Sequence, residues 1–504
     1  MLSNRRQFLK TTAVTTASLG LGDLGLLDRL PRVSAAEAAM PPHVVRFSAE
    51  IEPLVRLLEE TPRERLLEEI ASRIHRGLSY REVLTALLLA GVRNIQPRPV
   101  GFKFHSVLVV NSAHLASLSS PDSDRWLPIF WALDYFKSAQ AQNVREGDWT
   151  MAASDDAKVP SADKAHKVFI EAMDNWDETA ADAAVTGLAR TAGAQEIFEI
   201  FCRYGARDFR EIGHKAIYVA NSWRTLQVIG RQHAEAVLRS LAYALLDRGG
   251  DPNPARADLA ADRPWRHNQS AMGTIRPDWP DGQPSSSAST ELLQALRQAS
   301  PEEASAKIME LLNRGVAPQS IWDGIFDAAG ELLMRRPGIL SLHALTSTNA
   351  LHYAFQNSAN DETRRLLLLQ NASFLTLFRG GGNDLKPLQL DELRPANEPG
   401  AKPPTLEAIF ADISHNRLAA ASKTLAWLEQ NPTPTEFITA ARRLVFLKGN
   451  NAHDYKFSSA ILEDYQNVSP AWRGRYLAAS VFNLRGSGDP DNDLVKRTRA
   501  ALGA

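Results

Sequence analysis

The strongest constraint on the fold is that the chain repeats itself. His105, Asn111, His114 and Ala116 recur as His343, Asn349, His352 and Ala354, each pair 238 positions apart, and Arg76-Gly77 and Arg98-Pro99 recur as Arg314-Gly315 and Arg336-Pro337 at the same offset. Apolar positions follow it too, Val83 with Ile321, Phe104 with Leu342 and Phe136 with Phe374. A second echo pairs Gly213-His214-Lys215-Ala216 with Ala452-His453-Asp454-Tyr455, one position off that register. The simplest source is a duplicated block of about 240 residues, each block holding two helical subunits. The halves are placed at residues 41–290 and 291–504, packed as one unit.

Within each block the texture is helical. Apolar residues recur three and four apart over Ile51–Ile74, Glu82–Val92, Trp126–Ser138, Ala181–Tyr204, Ala234–Asp247 and Glu302–Asn313, the stripe of an amphipathic helix. Alternating strand patterns are nearly absent. The expected fold is therefore all-α, a duplicated helical array with long irregular loops at 143–163, 249–290 and 379–404, where Gly, Pro, Asp, Asn and Ser collect. Proline is tolerated in a helix's first turn, so each repeated motif is expected to open a helix near Pro99 or Pro337.

Composition narrows the chemistry. A chain with 44% hydrophobic and 23% charged residues is globular, and a formal net charge of -1 gives no electrostatic case for nucleic acid. Cys202 is the only cysteine. It excludes an intramolecular disulfide, an iron-sulfur cluster and a thiolate zinc site, and the absence of Cys-x-x-Cys-His excludes c-type haem. Cys202 is expected to pack as a small apolar residue.

The N-terminus reads as an address. Ser3-Asn4-Arg5-Arg6-Gln7-Phe8-Leu9-Lys10, a mildly apolar run from Ala13 to Gly22 and an Ala36-Glu37-Ala38 triplet have the layout of a twin-arginine signal peptide over residues 1–38. It implies the twin-arginine translocase as a partner, export in the folded state and a periplasmic or extracellular location. Removing residues 1–38 shifts the formal net charge from -1 to -3. No later stretch reaches the roughly 18 apolar residues of a membrane span.

The repeated histidines are where chemistry is expected, because imidazole transfers protons near neutral pH and binds transition metals. On one continuous helix His105 and His114 lie on opposite faces, as do His343 and His352, so neither pair can share an ion unless the helix breaks. Asn111 lies near the face of His114, and Asn349 near that of His352. His214 and Asn221, seven apart, share a face. If a pseudo-twofold axis relates the halves, His105, His214, His343 and His453 converge on one central site and are the candidate catalytic residues. His105 and His343 are the candidate ligands of iron, copper or zinc, with cofactor-free acid-base chemistry as the alternative. Asn111, His114, Asn221, Asn349 and His352 are the candidate substrate-binding residues. The opposing reading is that duplicated His-Asn pairs only satisfy buried backbone groups.

Other motifs carry less. The neighbours His233-Ala234-Glu235 point apart on a helix, and Gly380-Gly381-Gly382 lacks the Lys-Ser or Lys-Thr of a phosphate loop. Arg263-Pro264-Trp265 and Trp279 suit either an aromatic lid or a loop that wraps the array.

Ser341-Leu342-His343-Ala344-Leu345-Thr346-Ser347-Thr348-Asn349-Ala350-Leu351 and Gly213-His214-Lys215-Ala216-Ile217-Tyr218-Val219-Ala220-Asn221, in a helical frame punctuated by histidines, resemble the questin oxidase-like proteins. That resemblance implies oxidative ring opening of aromatic polyketides. It transfers no catalytic set, and an export signal departs from intracellular polyketide enzymes. Two expectations follow. One is an exported oxidoreductase acting on a small organic substrate at a histidine-lined site. The other is a non-enzymatic helical scaffold that binds a protein or an envelope component, with dispersed histidines and a long concave surface.

Overall fold

The computed structural model describes residues 44–380, 385–397 and 402–503. Residues 1–38, read from the sequence as a signal peptide, and Gly381–Asp384 lie outside the described residues. Val45–Ala504 form one compact unit. Among the described residues the fold is all-α, with no sheet.

The helices are, in order, α1 Glu52–Glu60, α2 Arg63–His75, α3 Tyr80–Asn94, α4 His105–Leu118, α5 Leu127–Arg145, α6 Ala162–Asn175, α7 Glu178–Thr191 and α8 Ala194–Gly205. There follow α9 His214–Ile229, α10 Ala234–Leu245, α11 Arg263–Ala271, α12 Ser286–Leu296, α13 Pro301–Asn313, α14 Pro318–Arg335 and α15 Ile339–Asn357. The remainder are α16 Asp361–Arg379, α17 Leu406–Ile413, α18 Arg417–Gln430, α19 Thr435–Lys448, α20 Ala452–Asp464, α21 Arg473–Ser480 and α22 Asp493–Leu502. No helix among the described residues is long and apolar enough to cross a membrane.

Four helices form the centre. α4 packs against α9 and α20, and α15 packs against the same two, so α4 faces α15 across a ring of four. These helices are buried on nearly every side. Twelve of fourteen residues of α4 are buried, and α15 is covered from Ser341 to His352. Their sequences explain it, since neither His105–Leu118 nor Ile339–Asn357 contains Asp, Glu, Lys or Arg, and a helix without a charged face is stable only inside.

The surrounding helices are amphipathic and cover the ring. α5 covers α4, and α14 and α16 cover α15. α2 shows the pattern plainly, burying Leu66, Leu67, Ile70 and Ala71 while Arg63, Glu64 and Arg65 stay exposed. Each such aliphatic residue stabilises the unit by about 1.5–3 kcal/mol. Capping boxes start α3 at Ser79 with Glu82 and α13 at Ser300 with Glu303, each satisfying two amides that the helix leaves free.

Several boundaries differ from the periodicity. The stretch Ile51–Ile74 is two helices, because Pro62 has no amide hydrogen to continue the first one. Ala181–Tyr204 is likewise cut at Ala192-Gly193. The first motif helix opens at His105 and not at Pro99, because Gly101 at φ 146° and Phe102 at φ 43° turn the chain first. The loop assigned to 249–290 contains α11 and the start of α12, so residue 290 lies inside a helix capped by Ser285. Cys202 is buried in α8, where burial pushes its thiol well up.

Candidate metal centre

His105 is the first residue of α4, His214 the first of α9, His453 the second of α20 and His343 the fifth of α15. All four central helices therefore begin at the same end of the ring, and their histidines meet there. The Nε2 atom of His214 lies 3.0 Å from that of His105 and 2.9 Å from that of His343. The His453 ring is 4.7 Å from the His105 ring and 5.1 Å from the His343 ring, centre to centre.

Each of the three closest rings is oriented by its other nitrogen. The Nδ1–H groups of His105, His214 and His343 donate to the carbonyls of Phe102, Glu211 and Ile339 at 2.7, 2.6 and 2.6 Å. A carbonyl only accepts, so Nδ1 must carry the proton and the neutral ring leaves Nε2 bare. This backbone anchoring is the usual support of metal-ligating histidine.

Two of the anchoring carbonyls come from strained turns. Phe102 has φ 43°, Glu211 φ 54° and Ile212 φ 44°; left-handed backbone is a marked departure for a β-branched residue. An ion network holds the second turn. Buried Asp208 pairs with Lys215 at 2.9 Å, and Arg210 pairs with Asp262 at 2.8 Å. Gly213 completes the turn at φ 79°, and a Cβ there would sit 2.0 Å from Ser347 Oγ.

Three bare Nε2 atoms facing one another repel unless a cation joins them. A shared proton is disfavoured, because burial, followed by the positive charge of Lys456, lowers His105, His214 and His343 well below the usual imidazole range. Burial, then Lys456, brings His453 down to about 3, and its buried Nε2 has no hydrogen-bond partner. The three form a cluster of possible ligand atoms all within 4.8 Å of one another. Ligands 2.1 Å from one ion lie ~3.0 Å apart at right angles and ~3.4 Å apart at the tetrahedral angle. The 2.9 and 3.0 Å separations match the right angle. The three neutral nitrogens therefore suit a transition-metal ion such as iron, copper or zinc.

Lys456 completes the setting. Its side chain is buried, its Nζ lies 3.4 Å from His214 Nε2, and burial brings its ammonium down to about 7. Phe102 and Ile339, whose carbonyls orient two of the rings, are themselves 69% and 51% exposed, so the cluster lies beneath surface-exposed turns.

The other sequence-derived candidates lie elsewhere. His114 Nδ1 meets Tyr80 Oη at 2.9 Å. Asn221 donates to the Leu108 carbonyl at 3.0 Å, and Asn111 donates to Asn221 at 3.5 Å; both are buried between helices of the ring. Asn349 bonds Glu463 and Asp464, each at 2.8 Å. His352 packs edge-on against Trp322 and Phe326 and lines, with Asn349, Arg224 and Glu463, a cavity of about 470 Å³. A larger cavity of about 710 Å³ is lined by Trp176, Tyr204, Arg207, Trp265 and Arg266. Trp265 thus lines a cavity, whereas Trp279 is fully buried and donates to Asp361 at 2.7 Å.

Sequence reasoning put the ion on His105 and His343 and missed that His214 is the shared neighbour of both. It also missed Lys456, although a lysine between Tyr455 and Phe457, one helical turn after His453, is a visible signal.

No family model matches this chain, and no curated protein or solved structure matches it.

Proposed function

We propose that this is an exported oxidoreductase in which His105, His214 and His343 hold one redox-active ion, iron or copper, and which acts on a small organic substrate. The observation that carries the reading is the trio of proton-free Nε2 atoms, with 3.0 and 2.9 Å between neighbours. A redox-active ion bound there supplies electron exchange and a position for substrate. The chain's own residues do the rest: the carbonyls of Phe102, Glu211 and Ile339 lock the rings, and His453 and Lys456 flank them.

Two further features support the reading. A ligand set beneath four helix ends is most easily loaded as the chain folds, which suits a route that exports folded proteins. The resemblance to questin oxidase-like proteins also points to oxidative chemistry. Convergent histidines are the opposite of the dispersed pattern expected of a binding scaffold.

Elemental analysis and electron paramagnetic resonance of protein purified without chelator test the proposal. One iron or copper per chain, lost in His214→Ala, is expected. A folded wild-type protein that neither contains nor takes up metal would end the metal reading.

A further inference from the structure

Every group that faces the three Nε2 atoms is neutral or positive. The ligands are uncharged imidazoles, the fourth ring is His453, and Lys456 is buried with His214 Nε2 as its polar neighbour at 3.4 Å. Among the described residues no ion pair joins Lys456 to a carboxylate, and its Nζ faces His214 Nε2. Of the nearby carboxylates, Asp454 pairs with Arg485 at 2.7 Å and Asp208 with Lys215 at 2.9 Å, while burial raises the carboxyl of Glu211 and so favours its neutral form. The helix N-termini of α4, α9, α15 and α20 add their positive ends at the same place.

An ion on His214 Nε2 takes the lone pair that Lys456 otherwise faces. The buried ammonium then stands beside a cation with nothing to accept from it, so it must either shed its proton or gain an anionic partner. The three ligands supply no negative charge, and no carboxylate is hydrogen-bonded to Lys456 among the described residues.

Resting on the metal reading above, we propose that the ion's open side takes a small anionic oxygen donor, a carboxylate or a phenolate, with Lys456 as its charge partner. Lys456 is then a specificity residue. It favours substrates that present an oxygen anion and rejects neutral ones of the same size, because only the anion leaves both the ion and the ammonium compensated.

The test uses the full mature chain loaded with copper(II). Azide reports charge alone, formate and 4-nitrophenolate separate the two kinds of oxygen anion, and imidazole serves as a neutral competitor, all followed by absorption titration. In Lys456→Met, azide and at least one oxygen anion are expected to bind at least tenfold more weakly, with imidazole binding unchanged. Copper itself should bind more tightly, because a repelling charge is gone. Lys456→Arg should retain anion binding. A role confined to packing cannot move copper and anion affinity in opposite directions. Should Lys456→Met fail to fold, the wild type gives a second reading: azide must bind its copper at least tenfold more tightly than it binds a copper-imidazole complex in the same buffer. Equal azide affinity in wild type and Lys456→Met at full copper occupancy overturns this inference and leaves the metal centre standing. Failure to take up copper overturns both.

Discussion

The two ends of the central four-helix ring are both buried and both polar, yet they are built on opposite principles. At the end away from the histidine cluster, a connected set of polar groups is hydrogen-bonded, although the buried Nε1 of Trp322, beside His352, has no partner. Asn349 donates to Glu463 and Asp464 and accepts from Arg224 at 3.3 Å, Arg224 pairs with Glu463 at 3.0 Å, and Tyr476 donates to the second oxygen of Asp464 at 3.3 Å. At the other end, three lone pairs point at one another and His453 Nε2 has no partner. A closed network is what buried polar groups do for stability. An open one, held by strained turns, carries a cost that a ligand must offset. The contrast separates the histidines that repeat in sequence into two kinds: His105 and His343 at the open end, His114 and His352 in settled packing.

Removing a group from each end should break this contrast most visibly. His214→Ala should lower metal affinity by roughly 100-fold or more, since even changes around a ligand cost 10–100-fold. His352→Ala should leave metal content unchanged while costing about 2–4 kcal/mol of stability, because it empties a site packed against Trp322 and Phe326. Equal metal loss in the two variants, measured by elemental analysis alongside chemical denaturation, would erase the distinction.

Acidity sharpens it next. Burial, then the charge of Glu463, raises Asp464 to about 8 from an ordinary 3.8. The folded state therefore holds a proton that the unfolded state releases, so this contribution to stability is full below pH 4 and is lost as pH rises towards 8. The slope is at most about 1.4 kcal/mol per pH unit. Asp464→Asn keeps an acceptor oxygen towards Asn349 and turns an amide donor to the Tyr476 oxygen, without titrating. Denaturation curves between pH 5 and 8 should be flatter in this variant than in wild type, and parallel curves would show that Asp464 is ionised in the folded protein.

Gly213→Ala should cost about 1–3 kcal/mol from its left-handed backbone and weaken metal uptake, because the added Cβ meets Ser347 Oγ at 2.0 Å. Adding Ser347→Ala removes the clash and leaves the backbone strain, so partial recovery of metal binding is expected. The smallest effect belongs to Tyr80→Phe. It removes one hydrogen bond to His114, about 0.5–1.5 kcal/mol, with metal content unchanged by the same elemental assay.

Much of the architecture was legible because its signals are local. The apolar stripe of α2, the capping boxes at Ser79 and Ser300 and the charge-free run of α15 each follow from neighbours a few residues apart. Helix breaks were harder. Pro62 was visible, but Ala192-Gly193 interrupts the periodicity without a strong stop signal. At the site, the 238-position offset singled out His105 and His343 together with His114 and His352, and nothing in the offset separates the first pair from the second. The half-turn between His105 and His114 required them to part, but not which of them would face the other helices.

The sequence by itself determined the all-helical class, the absence of a thiolate site and the short set of histidines from which any centre had to be drawn, since these follow from residue type and near-neighbour spacing. Only the tertiary structure decided that His214 stands between His105 and His343 across separations of 109 and 129 residues, and that Lys456 reaches it from 242 residues away. Those distances depend on how helices pack around a shared core. Left-handed backbone at Phe102 and Glu211, which sets which ring nitrogen is bare, is likewise imposed by that packing against the residues' own preferences.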